Sequence, residues 1–551
     1  MKIIIVGGVA GGASAATRCR RLSEKSEIIL YERGEYISFA NCGLPYYFGG
    51  KIKNRKQLLR ASPDFLFKRY NIKINILSEV TSIDRKSKKV TIKNLKTNYC
   101  FEESYDKLIL SPGAFPIRPK IPGINSERIF ALRNIPDIDA IDEAITYYKA
   151  NNVIIIGGGF VGIEMAENCK QKGLTVSVVE MQDQVMNNLD VELAAIIHNH
   201  LRENEISLFL NNGVESFKHT ESKISVILKD GKEIQADLVL LSLGIIPESK
   251  LALESGLETG IKKTIQVNKF MQTSDSNIYA VGDAVQVKEF INNEYCHIPL
   301  AGPAVRQARI AADHIFGRTS FYRGSQGTSI CKIFELSASS TGLNEKSLKK
   351  TNIPYEKIYI YDPQHVDYYP GATPVLFKLI FNKDSGKILG AQAIGKDGVD
   401  KRIDIISMAI QGGMTVFDLE ESELNYAPPY GAPKDIINMA GFAASNIIRG
   451  DIKQVHWDNL IHENNKEDSI LLDIRTPKEF DFGNVKGSIN IPLNELRQNI
   501  NKLENYKEKI IFIYCYTGYR SYIGCRILTQ LGFNVINISG GYSLYKFLYH
   551  V

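Results

Sequence analysis

The sequence contains no C-x-x-C pair, no cysteine or histidine spacing suited to zinc, and a single tryptophan among 551 residues. Its eight cysteines stand at 19, 42, 100, 169, 296, 331, 515 and 525, too irregular for a disulfide scaffold or a metal site. No metal is expected. No apolar run reaches membrane-spanning length. The opening M-K-I-I-I-V is too short for a signal core and runs through glycines into Arg18, Arg20 and Arg21. Low-complexity tracts are missing, and so are long blocks of one charge. The net charge of +6 is spread along the chain, which suits an anionic small molecule better than nucleic acid. These absences describe a protein of a reducing cytoplasm with no membrane partner.

What is present is ordinary globular composition, 44% hydrophobic and 23% charged, in a chain too long for one core. Three to four domains are expected. Lys2–Val6 is a short β-branched run, the pattern of a buried parallel strand. It leads into a Gly7–Gly12 turn, a helix over Ala13–Leu22, and a strand over Ile28–Tyr31 that ends at Glu32. The same order recurs at Val153–Ile156, Gly157–Gly162, Ile163–Lys172 and Val176–Val179, ending at Glu180. Lys89–Lys93 belongs to a small antiparallel insertion. Tyr105–Ser111 returns to the first βαβ unit and closes at Gly113, and Leu238–Leu243 with Gly244 does the same for the second. Ile278–Asp283 is a further strand ending in a Gly282–Asp283 turn.

Beyond residue 323 strand-rich segments give way to helices, down to Ile448. A new alternation follows: strands at Ile470–Asp473, Ile510–Cys515 and Val535–Ile538, helices at Pro477–Phe482 and Ser521–Leu531. That is a small α/β domain with a parallel sheet. The expected division is 1–112 with 245–322, then 113–244, 323–448 and 455–551. The last boundary lies in Gly450–Val455, although no Pro/Gly-rich linker marks it. The fold class is α/β: two Rossmann-like dinucleotide-binding domains, an α+β third domain and a C-terminal α/β domain.

G157-G-G-F-V-G162 satisfies G-x-G-x-x-G between a strand and a helix, where backbone N–H groups meet a pyrophosphate. Gly157, Gly159 and Gly162 are the motif glycines. Glu180 stands where a carboxylate accepts a ribose 2′-hydroxyl and repels a 2′-phosphate, favouring NADH with NADPH still possible. The first loop, G7-G-V-A-G-G12, departs at Val9 but keeps the context, with Gly7, Gly8, Ala10, Gly11 and Gly12 in the turn and Glu32, followed by Arg33, at the strand end.

Two such units followed by a strand ending in Gly282–Asp283 resemble the flavoprotein pyridine-nucleotide-disulfide oxidoreductase family over residues 1–445. The resemblance implies FAD on the first unit, Asp283 on the flavin's ribityl chain, and a dimerisation domain at 323–448, hence a homodimer. It also implies a redox cysteine soon after Glu32. Cys42, in S38-F-A-N-C-G-L-P-Y-Y47, fits that place, with Asn41 as a cap and Pro45 in the first turn of a helix whose N-terminus favours the thiolate. Read from the residues alone, Cys42 is either reactive or buried and structural. Cys19, Cys100, Cys169, Cys296, Cys331 and Cys525 are read as structural.

A dithiol enzyme would carry a second cysteine at 47, where this chain has Tyr47. Single-cysteine branches remain. NADH oxidases and peroxidases carry a histidine where Ala10 stands, whereas S-F-A-N-C-G-L-P-Y with G-G-V-A-G-G is similar to coenzyme A-disulfide reductases. That resemblance implies coenzyme A as ligand, a mixed disulfide on Cys42, and two tyrosines, Tyr368 and Tyr426, reaching the partner subunit's site. Tyr369 leaves a one-residue alternative. It also makes Arg18, Arg21, Ser38 and Arg60 substrate-binding candidates, Arg18 and Arg60 ahead of Arg21 for the phosphates.

L472-D-I-R-T-P-K-E-F480, G487-S-I-N-I-P492 and C515-Y-T-G-Y-R520 resemble a rhodanese domain. A cysteine there sits in a loop of inward-pointing N–H groups and holds sulfane sulfur as a persulfide, with Arg520 closing the loop. Related phosphatases have one more loop residue, and Tyr514 replaces their histidine. G483-N-V485 departs from the usual G-H-[IV]. Together the resemblances imply an FAD enzyme using NADH to reduce coenzyme A disulfide, coenzyme A persulfide or polysulfide through Cys42, with Cys515 handling sulfur from a sulfane-sulfur donor. Two readings stand beside it: an oxidase or peroxidase cycling Cys42 through sulfenic acid, and a rhodanese module that only binds or senses sulfur.

Overall fold

The computed structural model describes residues 1–220, 222–463 and 468–549. The chain divides into two compact units, Met1–Val185 with Leu201–Gly327, and Met186–His200 with the chain from Thr328 onward.

Among the described residues, the first unit is built on two parallel sheets of five strands. One runs in the order Ile278–Ala280, Lys107–Leu110, Lys2–Val6, Glu27–Tyr31, Lys73–Asn75. Lys2–Val6 is hydrogen-bonded on both sides, and Ile3, Ile4 and Ile5 are completely buried, which is why the run is apolar without alternation. The second sheet repeats the plan with Asn152–Ile156 at its centre, between Thr175–Val179 and Leu238–Leu241. The helices Ala10–Leu22 and Phe160–Gln171 each begin directly at a glycine turn. Three-stranded antiparallel sheets follow in each half, Ser78–Asp84 with Lys89–Asn94 and Cys100–Ser104, and Val214–His219 with Ile224–Leu228 and Glu233–Ala236. Ala114–Pro116 pairs antiparallel with Ile245–Pro247 where the chain passes between the halves.

The second unit holds an antiparallel sheet in the order Ser329–Ile333, Leu336–Gly342, Ile388–Gly395, Pro374–Asn382, Tyr355–Pro363, with the helices Val399–Gly412 and Ile436–Ile448. It also holds a parallel sheet in the order Gln454–Val455, Asn534–Ile538, Ile510–Tyr514, Ser469–Asp473, Ile489–Asn490. Gln454 already pairs with this last sheet, so the C-terminal domain starts within the predicted linker rather than after it. A buried charge cluster lies beneath Tyr355–Pro363. Lys378 meets Asp190 at 2.8 Å and Glu192 at 3.2 Å, and also contacts Glu345, while Lys357 meets Glu345 at 2.9 Å and Asp458 at 3.4 Å. Two ammonium groups shared among three buried carboxylates keep every charge paired where water cannot.

All eight cysteines are free. Burial raises the thiols of Cys19 and Cys169 to about 12, which makes both inert. Cys100 corrects the expectation of a buried residue: it opens an edge strand, Cys100–Ser104, that pairs on one side only, and it is exposed. Among the described residues no helix is long and apolar enough to cross a membrane, and no cluster of His, Cys, Asp or Glu could hold a metal ion.

Candidate functional site

The two glycine turns are close copies at the atomic level. Gly7 has φ +92°, and a Cβ there would fall 2.1 Å from the Ser111 carbonyl; Gly157 has φ +107°, with the Ser242 carbonyl at 2.2 Å. Only glycine fits either position. Glu32 accepts the Gly8 and Gly34 amides, each at 2.7 Å, and Glu180 accepts those of Gly158 and Gln182 at 2.7 and 2.9 Å. Each strand-end acid therefore fixes its own loop. Neither following helix has a side-chain cap, and space around Gly159 is open to 4 Å. Free first-turn amides beside an approachable backbone suit a pyrophosphate. The residues present thus fit the dinucleotides that the sequence implies.

Gly282 has φ +83° and donates to Gln307 at 2.8 Å, which holds the turn that presents Asp283. Burial raises the Asp283 carboxyl, and His297 and Arg133 oppose the shift. His297 also meets the Asp283 carbonyl at 2.7 Å. Gly113 and Gly244, with φ +79° and +94°, sit at the ends of the crossing strands. Arg33 is tied to Glu248, with one bond of 2.5 Å, and Arg133 shares the same acid at 3.2 Å.

Ser38, at φ +45°, stitches the Cys42 loop to the first glycine turn by donating to the Gly8 carbonyl at 2.8 Å. Its own carbonyl accepts the Arg60 amide at 2.8 Å. The helix expected to begin at Cys42 is corrected. Asn41–Gly43 is one 3-10 turn, and the helix that follows, Leu44–Phe48, is five residues long with Pro45 in its first turn. Asn41 does not cap it: its Oδ1 accepts the N–H of Cys42 at 3.1 Å and faces the sulfur at 3.7 Å. The thiolate-favouring environment is corrected with it. Cys42 is exposed, yet desolvation by the walls around its sulfur raises the thiol, and the carboxylates of Glu164 and Asp283 add to the shift. The short turn supplies too little dipole to offset two acids.

Glu164 was not singled out in the sequence. It lies on Phe160–Gln171, two residues past the motif's last glycine, where it accepts from the Tyr46 hydroxyl at 3.2 Å. Burial raises its carboxyl to about 7. Of the basic candidates, Arg18 is committed to Asp313, with Nε at 2.7 Å, whereas Arg21 and Arg60 are exposed.

In the second unit, the Tyr368 and Tyr426 hydroxyls meet at 2.9 Å, and both side chains are exposed, at 70% and 44%. That bond raises the Tyr368 phenol. Tyr369 instead sets its ring against His365, 5.6 Å away, so it is Tyr368 that reaches Tyr426.

Cys515 follows the Ile510–Tyr514 strand and is completely buried. Its sulfur accepts the Gly518 N–H at 3.1 Å and faces the Ser521 hydroxyl at 3.6 Å. Its carbonyl accepts the Tyr542 N–H at 2.7 Å. Arg520 forms a two-pronged bond to Glu479 at 2.6 and 2.8 Å. Arg520 holds the Glu479 carboxyl down at about 2, and the guanidinium is raised by Glu479 first and the Cys515 sulfur after it. Asp473 and Arg475 form a buried pair at 2.6 Å, and Arg475 lies 4.0 Å from the Tyr542 ring centre. Glu479 and Ser521 were also missed, though both stand within or beside the quoted motifs.

The G483-N-V485 departure is accommodated. The Val485 N–H donates to the Tyr514 hydroxyl at 3.2 Å, while the exposed Asn484 side chain turns back to the Phe480 carbonyl at 3.1 Å. The single indole, Trp457, is buried and donates to the Gly541 carbonyl at 2.8 Å. Cys525 is buried on the next helix, and desolvation raises its thiol strongly.

Comparison with known proteins bears on both thiols. Residues 1–308 match the pyridine nucleotide-disulphide oxidoreductase family, 328–434 its dimerisation domain and 457–547 the rhodanese-like domain. The coenzyme A disulfide reductase of Staphylococcus haemolyticus is 37% identical over 447 residues, 81% of this chain and 100% of its own. Reduced Bacillus anthracis CoADR-RHD superposes with a TM-score of 0.96 at 50% identity, covering 99% of this chain and 98% of that one. The NAD-dependent persulfide reductase from A. fulgidus gives 0.92 at 33%, covering 99% and 100%.

Proposed function

Because the chain belongs to the pyridine nucleotide-disulphide oxidoreductase family and carries dimerisation and rhodanese-like domains, we propose that it is an FAD enzyme that uses NADH to reduce coenzyme A disulfide and coenzyme A persulfide. The observation that carries this reading is the pair of unlike thiols: an exposed Cys42 with no second cysteine beside it, and a buried Cys515 in a cradle of donors.

We assign residues 1–112 with 245–322 to FAD, 113–244 to the nicotinamide nucleotide, 323–448 to dimerisation and 455–551 to sulfur handling. Gly7, Gly8, Ala10, Gly11, Gly12, Glu32 and Asp283 would hold FAD, with Arg33 and Gly113 at its margin. Gly157, Gly159, Gly162 and Glu180 would hold NADH, with Gly244 closing that domain. When bound, FAD supplies the two-electron link between NADH and the Cys42 sulfur. Cys42 thiolate attacks one sulfur of the disulfide or the inner sulfur of the persulfide. One coenzyme A thiolate, or sulfide, leaves, and coenzyme A stays on Cys42 until two electrons release it. Tyr368, its proton held between two phenols, donates to the leaving sulfur across a homodimer. Arg21 and Arg60 are free to meet the phosphates of coenzyme A, whereas Arg18 is held by Asp313. Cys515 takes up or passes on sulfane sulfur in the cytoplasm. The net reaction, R–S–S–R with NADH and a proton giving two thiols and NAD⁺, balances.

Intact mass of the purified protein before and after reduction tests this: coenzyme A bound through Cys42 is expected. Full persulfide turnover by Cys42→Ser overturns it.

A further inference from the structure

The loop after Cys515 reads Y-T-G-Y-R, so it contributes a single cation, Arg520. That charge is already held by the Glu479 carboxylate through two bonds, at 2.6 and 2.8 Å. Glu479 cannot swing aside cheaply, because it also closes the capping box of Pro477–Phe482 through the Thr476 backbone and hydroxyl. The loop itself carries two exposed aromatic rings: Tyr516 is 38% exposed and Tyr519 59%. Inside, the Gly518 N–H donates to the sulfur at 3.1 Å, and the Ser521 hydroxyl lies 3.6 Å from it and 2.9 Å from the Gly518 carbonyl.

We propose that this loop takes its sulfane sulfur from thiol persulfides, R–S–SH, that present an uncharged arm to Tyr516 and Tyr519, and that it discriminates against small dianionic donors such as thiosulfate. The inference rests on the reading of Cys515 as a sulfur carrier and adds the class of donor. A persulfide can leave any charged part of R far from the loop, and its arm covers aromatic surface. Thiosulfate must bring both charges beside a carboxylate that already engages the loop's one guanidinium with both its oxygens. In the step, Cys515–S⁻ attacks the outer sulfur of R–S–SH, the donor's S–S bond breaks, and a new S–S bond forms. The products are Cys515–S–SH and R–S⁻, which takes a proton from water; no oxidant is required.

The experiment exposes the full chain, without NADH, to pantetheine persulfide or to thiosulfate at equal concentration. Peptide mass spectrometry follows the gain of one sulfur at Cys515. Loading from pantetheine persulfide is expected to be at least ~10-fold faster. Glu479→Gln, which keeps a capping side chain while releasing Arg520, should raise thiosulfate loading by about 5-fold or more and change persulfide loading by less than about 2-fold. Tyr516→Arg adds a cation by a different route and should likewise raise thiosulfate loading, while lowering persulfide loading because it removes part of the surface that receives the arm. Equal wild-type loading from both donors overturns the donor assignment and leaves the carrier role standing. So does the absence of any thiosulfate gain in both folded variants. No loading from either donor overturns the carrier role, and the donor assignment with it.

Discussion

Cys42 and Cys515 are held in opposite ways. Cys42 is exposed on a 3-10 turn, its sulfur faced by one amide oxygen and, further off, by two carboxylates that raise its pKa. Cys515 is buried, its sulfur accepting a backbone N–H at 3.1 Å with the Ser521 hydroxyl at 3.6 Å, in a loop whose Arg520 is held by Glu479. The first arrangement suits a thiol that must accept a bulky partner sulfur and then let it go. The second suits an anion that must be kept, as a persulfide terminus is. One chain thus holds two thiols in opposite surroundings, as the proposed division between turnover and storage requires.

The largest expected effect is the one that would break this contrast. Cys42→Ser should lower NADH-dependent reduction of coenzyme A disulfide by on the order of 10³-fold or more, while Cys515→Ser leaves it within about 2-fold. Equal losses would abolish the division. Next, Arg475→Met leaves Asp473 buried without its partner, at a cost of about 3–5 kcal/mol. Chemical denaturation should show the C-terminal domain melting early while the flavin-side activity persists.

Tyr368→Phe removes one half of the phenol pair and should lower turnover at Cys42 by ~10- to 100-fold, leaving sulfur loading of Cys515 unchanged in the same assay. The smallest effect concerns Glu164. Its carboxyl loses a proton near pH 7, and the resulting charge raises the Cys42 thiol. Glu164→Gln should therefore speed iodoacetamide alkylation of Cys42 at pH 8 by about 2- to 5-fold and have no effect at pH 5.5, where Glu164 is already neutral. The same raised pKa means that wild-type stability relative to this variant is greatest below about pH 4.5 and declines as pH rises to about 7.

Glu32 and Glu180 were readable in the sequence because a strand end and a glycine turn fix where an acid must stand, and each does hold its loop. The cradle of Cys515 was readable for the same reason: strand, loop and helix are contiguous. Contacts between distant segments were not. Tyr46 and Glu164 meet across two glycine-turn domains, and Glu479, which follows the strand Ser469–Asp473, reaches Arg520, 41 residues on and past the neighbouring strand Ile510–Tyr514. The helix expected at Cys42 failed because L-P-Y-Y-F closes little more than one turn. Arg18 looked free in sequence because Asp313, which binds it, lies 295 residues away.

Trp457 carries a consequence of its own. As the chain's one indole, buried and hydrogen-bonded to Gly541, it lies 5.8 Å from the ring of Tyr514, the residue immediately before Cys515. Gly541 precedes Tyr542, whose N–H holds the Cys515 carbonyl. Fluorescence excited at the red edge of protein absorption, which selects the one indole over the 27 tyrosines, therefore originates beside Cys515, so that emission is a private optical channel for this domain, and no label need be added to test whether Cys515 loads and discharges sulfur.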